Sequence, residues 1–366
     1  MTHDVWVEVD LGALRHNLAQ VCAAIRPGTR LMAVVKGNGY GHGYIEPAKA
    51  FIEAGADALA VTRLDEALPL RQAGISAPIL LFAPIQPANA EPAIEADLDL
   101  TVCSLPPAKA VSEAAVRMGK TARVWLKIDT GMGRLGMLPS DALPVFKAIS
   151  KLPGVEIAGT YTHFARAIEA DLTPTRAQLR RFENVLASLR AAEIDCGLAS
   201  AANSAATIRL AESHLDMVRV GTLLYGQYPS SHVPRSLYLK ATWKLKTRVC
   251  EVRDIPKGSA IGYGGECVTT RPTRTAVVPI GFADGFTLAP EGQIYRQTVL
   301  GFLARKRKRL WMEINGQRAP VLGRVAMQLT VLDVTDIDGI AVGTEVTVPA
   351  LRIPTSPAIP RVYVSS

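Results

Sequence analysis

Eight short apolar runs, spread over the first 221 residues and separated by stretches of helical composition, constrain this chain more than any other feature. They lie at 31–35, 58–62, 78–83, 98–103, 122–128, 157–163, 196–200 and 217–221. Runs this short, without alternation, suit strands buried on both faces, as in a parallel sheet. Between them Ala, Leu, Glu and Arg dominate, so the pattern reads as strand and helix in repeated units. Eight such units in about 200 residues match the number and length of a closed (β/α)8 barrel. An open doubly wound sheet is the alternative, but it would not usually need eight units.

The texture changes after about residue 235. The stretches 242–252, 274–280 and 328–334 alternate polar and apolar residues, and turn signals recur at Pro256-Lys-Gly258, Asn315-Gly316 and Asp338-Gly339. This reads as an all-β domain. The expected organisation is therefore α/β overall: a (β/α)8 TIM-like barrel over residues 1–235, then a C-terminal all-β domain over 236–366. Residues 5–9 alternate like an antiparallel strand and are free to pair with that second domain. After them, 10–25 has helical spacing with Asp10 placed as its N-cap.

A chain of 366 residues accommodates two domains. At 48% apolar and 20% charged residues it belongs with globular rather than disordered proteins. Part of its net charge of +8 sits in one run, Arg305–Arg309. With no nucleic-acid module beside it, that run reads as a solvated loop or hairpin, and no nucleic-acid partner is expected. The positive balance also suits small anionic ligands such as phosphates and carboxylates. Five cysteines without a CxxC pair argue against a disulfide framework or a metal site, and fit reduced thiols in a cytoplasmic protein. The N-terminus lacks the apolar core of a signal peptide, and no segment reaches the roughly 18 apolar residues of a membrane helix.

If the first part is a barrel, functional residues should cluster where its strands end. The first run, 31–35, delivers Lys36 into Gly37-Asn-Gly-Tyr40-Gly-His42-Gly43. A lysine in a partly desolvated pocket is the residue type that forms Schiff bases with carbonyl compounds, including pyridoxal phosphate. A solvated lysine in a glycine-rich loop is the plainer reading of that stretch alone. Other strand ends carry Lys127 and Arg134 in a glycine-rich loop, then His163, Asn203-Ser204 and Arg219-Val-Gly221-Thr222. His163 alone suits a satisfied core histidine, and Asn203-Ser204 alone suits a helix cap. Small residues and hydroxyls at a helix N-terminus also make a phosphate cradle.

Taken in order, these stretches resemble the motifs of the alanine racemase family, barrel-type pyridoxal-phosphate enzymes. The resemblance rests on Ala33–Gly43, Lys127–Gly136, Asn203–Ala206, Arg219–Gly226, Gly262–Gly265, Arg271–Arg274, Gly281–Gly285 and Gly323–Met327, eight motifs in sequence. It implies a homodimer with head-to-tail subunits, the β domain of each completing the other's site. It implies that Lys36 carries pyridoxal 5'-phosphate, held also by Tyr40, Ser204 and backbone groups of Gly221 and Thr222, with His163 and Asn203 alongside and Arg219 facing the pyridine nitrogen. Lys36 and the partner's Tyr263 would be the two bases of an amino-acid racemase. A free tyrosine ionises near pH 10, so the family pattern implies help through His163 toward Arg219. Arg134 and the backbone at Met327 would bind the substrate carboxylate, and Lys127 matches a lysine often carbamylated in the family.

The chain departs from the family pattern at the gate. Gln328 stands where Asp is usual, Phe282 and Phe286 where tyrosines are, and the last segment lacks the usual Tyr-Glu pair. Glycines flank Lys36 where alanines are common. Alanine is the substrate the resemblance implies, with serine or a larger amino acid as the alternative. A non-catalytic pyridoxal-phosphate-binding protein is the alternative from another class.

Overall fold

The computed structural model describes residues 3–288 and 310–365. The basic run Arg305–Arg309 lies outside the described residues. The chain divides into two compact units, one of Leu11–Thr242, the other of the first strand together with Trp243–Val364.

After the first strand, β1 (Val5–Asp10), the larger unit contains eight strands. These are β2 (Arg30–Val34), β3 (Ala58–Val61), β4 (Ile79–Leu81), β5 (Asp99–Val102), β6 (Ala122–Lys127), β7 (Val155–Tyr161), β8 (Leu198–Ser200) and β9 (Met217–Val220). They pair in the order β9-β2-β3-β4-β5-β6-β7-β8, every pair parallel. The seam between β8 and β9 is drawn together by Asp216 N–H to Ala199 O at 3.1 Å and Arg219 N–H to Ala202 O at 3.0 Å. The result is a nearly closed barrel. Each of the eight apolar runs became a strand because parallel strands are covered on both faces; every residue of β3, β4, β5 and β9 is buried. Inside, Met32, Val34, Ala58, Ala60, Leu80, Trp125, Tyr161 and Met217 pack together.

Helices cover the outside. Leu105–Met118 has proline in its first turn and ends at Gly119, whose φ of 62° is the left-handed stop that glycine adopts freely. Thr173–Ala191 buries Leu179, Phe182, Val185, Leu186 and Leu189, a single face at helical spacing.

The smaller unit holds β10 (Trp243–Arg248), β11 (Glu251–Ile255), β12 (Ala260–Ile261), β13 (Cys267–Val268), β14 (Thr273–Val278), β15 (Trp311–Ile314), β16 (Gln317–Leu322), β17 (Thr330–Asp333), β18 (Glu345–Val348) and β19 (Arg361–Val364). Nine strands form one sheet in the order β11-β14-β17-β16-β15-β18-β10-β1-β19, and β12 and β13 pair separately. Strand β1 lies antiparallel to β10 and parallel to β19. The stretch 242–252, expected as one strand, breaks at Val249 and Cys250. Their N–H groups go to Thr344 O (2.9 Å) and Val277 O (2.8 Å), so the chain leaves the partners of β10 for those of β11. Asn315 and Gly316, with φ of 50° and 73°, make the tight turn between β15 and β16. Among the described residues no helix is long and apolar enough to cross a membrane.

Candidate active site

Strand β2 ends in a turn of unusual hand. Gly37, Asn38 and Gly39 have φ/ψ of 62/51°, 54/46° and 56/44°, and Tyr40 follows at φ 53°. Each left-handed residue with a Cβ costs about 1–2 kcal/mol, so glycine at alternate positions removes half of that strain. The turn closes on itself through Gly39 N–H to Val35 O (3.0 Å) and Gly43 N–H to Asn38 O (2.9 Å). His42, fully buried, bonds Thr242 Oγ1 at 2.8 Å and packs on Tyr225, against which Tyr40 also stacks at 4.7 Å. The turn sets the Lys36 amine 5.8 Å from the Phe82 ring centre. Burial first, then the nearby Arg134, hold its pKa below that of an ordinary lysine, with Glu66 opposing.

Beside Lys36 lies a cavity of about 200 Å3 lined by Tyr40, His163, Asn203, Ser204, Arg219, Gly221 and Thr222. The Gly221 N–H donates to Ser204 Oγ at 3.0 Å. A Cβ at position 221 would overlap the Tyr40 hydroxyl, so only glycine lets that hydroxyl, the Ser204 hydroxyl and the 221 backbone meet. Asn203 caps the helix Ser204–Arg209, accepting from Ala206 N–H at 3.2 Å while its amide donates to Phe164 O at 3.3 Å. That helix has six residues. Anion attraction here comes from local hydroxyls and N–H groups more than from a long helix dipole.

Arg219 is buried beneath this cavity. It donates to Ser200 Oγ and Thr162 O, each at 2.5 Å, and to Ala201 O at 3.3 Å. Burial brings its pKa to about 10, so it stays charged at neutral pH. Among the described residues no hydrogen bond joins the side chains of Arg219 and His163, the link that the resemblance implies.

A second cavity of about 270 Å3 shares Lys36, Phe82 and His163 with the first and adds Lys127, Arg134, Leu135 and Tyr161. Two basic groups approach the Tyr161 ring, with Lys127 Nζ 4.4 Å and the Arg219 guanidinium 5.0 Å from its centre. Its hydroxyl bonds Thr101 Oγ1 at 2.8 Å, and burial pushes its pKa up. Burial, then the charge of Arg219, lowers Lys127 to about 7. Burial together with Arg219, Lys127, Arg134 and Lys36 pushes His163 well below the ordinary imidazole range, leaving it neutral. Arg134 stands in a loop folded around Asp129, whose carboxylate accepts N–H groups of residues 131–134. Four basic side chains thus line adjoining cavities, a setting for small anions.

Tyr263 and Met327 belong to the smaller unit and are 75% and 62% exposed. Tyr263 sits in a turn between Gly262 at φ 76° and Gly264 at φ 74°, near an ion pair of Arg324 with Glu266. Met327 O accepts the Ala283 N–H at 3.0 Å. Phe286 is buried and Phe282 is exposed.

Residues 9–229 match the family model described as alanine racemase, N-terminal domain, and residues 242–356 match that of alanine racemase, C-terminal domain. The chain belongs to the alanine racemase family. It is 42% identical over 353 residues to the alanine racemase of Desulfosudis oleivorans, covering 94% of this chain and 86% of that protein. To the alanine racemase of Methanococcus maripaludis it is 40% identical over 351 residues, covering 95% and 89%. The solved alanine racemase of Clostridium difficile 630 superposes with a TM-score of 0.92 at 30% identity, over 100% of this chain and 97% of that one. As a member of the alanine racemase family, the protein is an isomerase.

Three residues at this site escaped sequence reasoning. Phe82, at the end of the third run, lines both cavities. Tyr161 was legible only as part of the sixth run. Glu66, buried to 2% exposure, bonds the Lys36 turn; its one signal is a carboxylate early in the helix after β3, the spacing of a helix-start cap.

Proposed function

We propose that this member of the alanine racemase family interconverts L- and D-alanine with pyridoxal 5'-phosphate, using Lys36 and the Tyr263 of a second copy as its two bases. The observation that carries the reading is the place of Lys36. Its desolvated amine borders both a cavity of hydroxyl and N–H donors and one of cationic side chains. The first cavity fits the cofactor: the cradle that a Cβ at 221 would fill brings together the hydroxyls of Tyr40 and Ser204. Those hydroxyls and the Thr222 backbone would hold the phosphate, with Asn203 fixing the helix start. Bound covalently at Lys36, the cofactor would supply the electron sink that makes a Cα proton removable.

The remaining work falls to the chain's own side chains. Arg134 would bind the substrate carboxylate, assisted by the Met327 backbone of the second copy, and so turn Cα toward Lys36. Arg219, charged and held on three sides by oxygen acceptors, presents a donor that does not give up its proton to the pyridine nitrogen. With such a donor at its nitrogen the ring would be a weaker sink, suited to proton exchange at Cα. Lys36 takes the Cα proton on one face when its amine is neutral, which burial favours. Tyr263 returns a proton on the opposite face, inverting the centre; the reverse reaction exchanges the roles. Neutral His163 lies beside this path as a hydrogen-bond acceptor.

The test is Cα proton–deuterium exchange in heavy water with cofactor-loaded protein, over a panel of L- and D-amino acids. Exchange with inversion, fastest for alanine, is the expected result; inversion fastest for serine or a larger side chain would reassign the substrate. Replacing Tyr263 by Phe should slow L-to-D conversion by roughly a thousandfold, within the span of a lost acid–base group, while the visible absorption of cofactor on Lys36 persists. Normal turnover in that variant would sink the two-base scheme.

A further inference from the structure

Four consecutive left-handed residues, two of them with side chains, do not hold their shape unaided, and the turn that Lys36 opens contains just such a run. Its far side is fixed by His42 and the Tyr40–Tyr225 stack. Its near side is tied to a neighbouring element by a side chain from beyond the turn. Glu66, on the first turn of the helix Leu64–Gln72, accepts the Gly37 N–H on Oε1 at 2.8 Å. Its Oε2 accepts the Thr62 N–H at 2.7 Å and the Arg63 N–H at 3.2 Å. One buried carboxylate therefore ties the turn after β2 to the loop after β3.

We propose that Glu66 is a positioning residue for racemisation, fixing where the Lys36 amine stands and facing it with a negative charge. The inference rests on Lys36 being the cofactor-bearing base. The charged and titratable groups near this carboxylate are Lys36 on the turn it ties, Tyr44 on the following segment and Arg63 and Asp65 at its own helix start, with Arg134 also acting on Lys36. The Arg63 guanidinium is engaged by Asp65 at 3.0 Å, so Glu66 reaches Arg63 through the backbone N–H. An amide of the same length cannot replace it, because its NH2 end would meet a backbone N–H at one of the two sites. Aspartate keeps the charge but is one methylene short.

The experiment compares full-length wild type, Glu66→Gln and Glu66→Asp, each with and without added pyridoxal 5'-phosphate. Hydrogen exchange at the Gly37 amide should quicken roughly tenfold or more in Glu66→Gln, the size of a lost hydrogen bond to a charged group. In that variant kcat should fall roughly tenfold with KM little changed, the pattern of a misplaced base. Borohydride trapping of the cofactor on Lys36 should reach its midpoint at lower pH, because the charge that favours the protonated amine is gone. Glu66→Asp should restore that midpoint but not the Gly37 protection. Wild-type Gly37 protection and trapping midpoint in Glu66→Gln would overturn the proposal. If Glu66→Gln does not fold, Glu66→Asp decides: weakened protection with reduced kcat upholds it, and wild-type values of both overturn it. Failure of wild type to trap cofactor on Lys36 would instead defeat the functional reading, while Gly37 exchange would still report the tether.

Discussion

At the scale of single residues, the site is held by carboxylates that serve the backbone rather than the substrate. Asp129 accepts N–H groups of Gly131 (2.9 Å), Met132 (2.8 Å), Gly133 (3.2 Å) and Arg134 (3.2 Å). Partial burial pushes its pKa up, but these four donors outweigh that and hold it below the usual carboxylate range. Its support is therefore present above the pKa of the unfolded chain and is lost as pH falls through the lower folded value. Substituting Asp129→Ala releases the loop that carries Arg134. Steady-state kinetics should show KM for alanine raised roughly tenfold, the worth of a charge-assisted bond, with kcat changed much less. Equal loss in kcat and no change in KM would mean that Arg134 is not placed by this loop.

At the scale of elements, strand β6 ends by burying Lys127 against the Tyr161 ring. Below pH 7 both folded and unfolded chains carry its proton, and the full cost of a buried charge weighs on the fold. Between about 7 and its ordinary value of 10.5 only the unfolded chain is protonated, so this group makes stability rise with pH. In carbon-dioxide-free buffer, Lys127→Met should be more stable than wild type at pH 6 by up to about 5 kcal/mol, less the lost cation–π contact. Denaturant midpoints should show that gap closing toward pH 10; a gap that does not change with pH would refute the shifted lysine. A neutral amine at pH 7 is also what carbamylation by carbon dioxide requires. What the sequence reveals about these elements follows physical lines. Parallel strands covered on both faces leave bare apolar runs, so even the three residues of β8 stand out in the sequence. The break at Val249 and Cys250 does not, because it is set by Thr344 and Val277, far along the chain. Likewise the Lys36 motif is local and readable. The bond that ties its turn to Glu66, 29 residues from Gly37, is marked by no local pattern.

At the scale of the whole molecule, the smaller unit leaves Tyr263, Phe282, Met327 and Leu329 exposed. If Tyr263 serves the Lys36 of a second copy, two dead variants should repair each other. Mixed dimers of Lys36→Ala and Tyr263→Phe have one site with both defects and one with neither. Random pairing makes about half the dimers mixed, each with one working site of two, so the mixture should regain roughly a quarter of wild-type activity. The measurement is racemisation by co-expressed variants against each variant alone. A mixture as inactive as its parts would place both bases within one chain, since no pairing of subunits could then assemble an intact site.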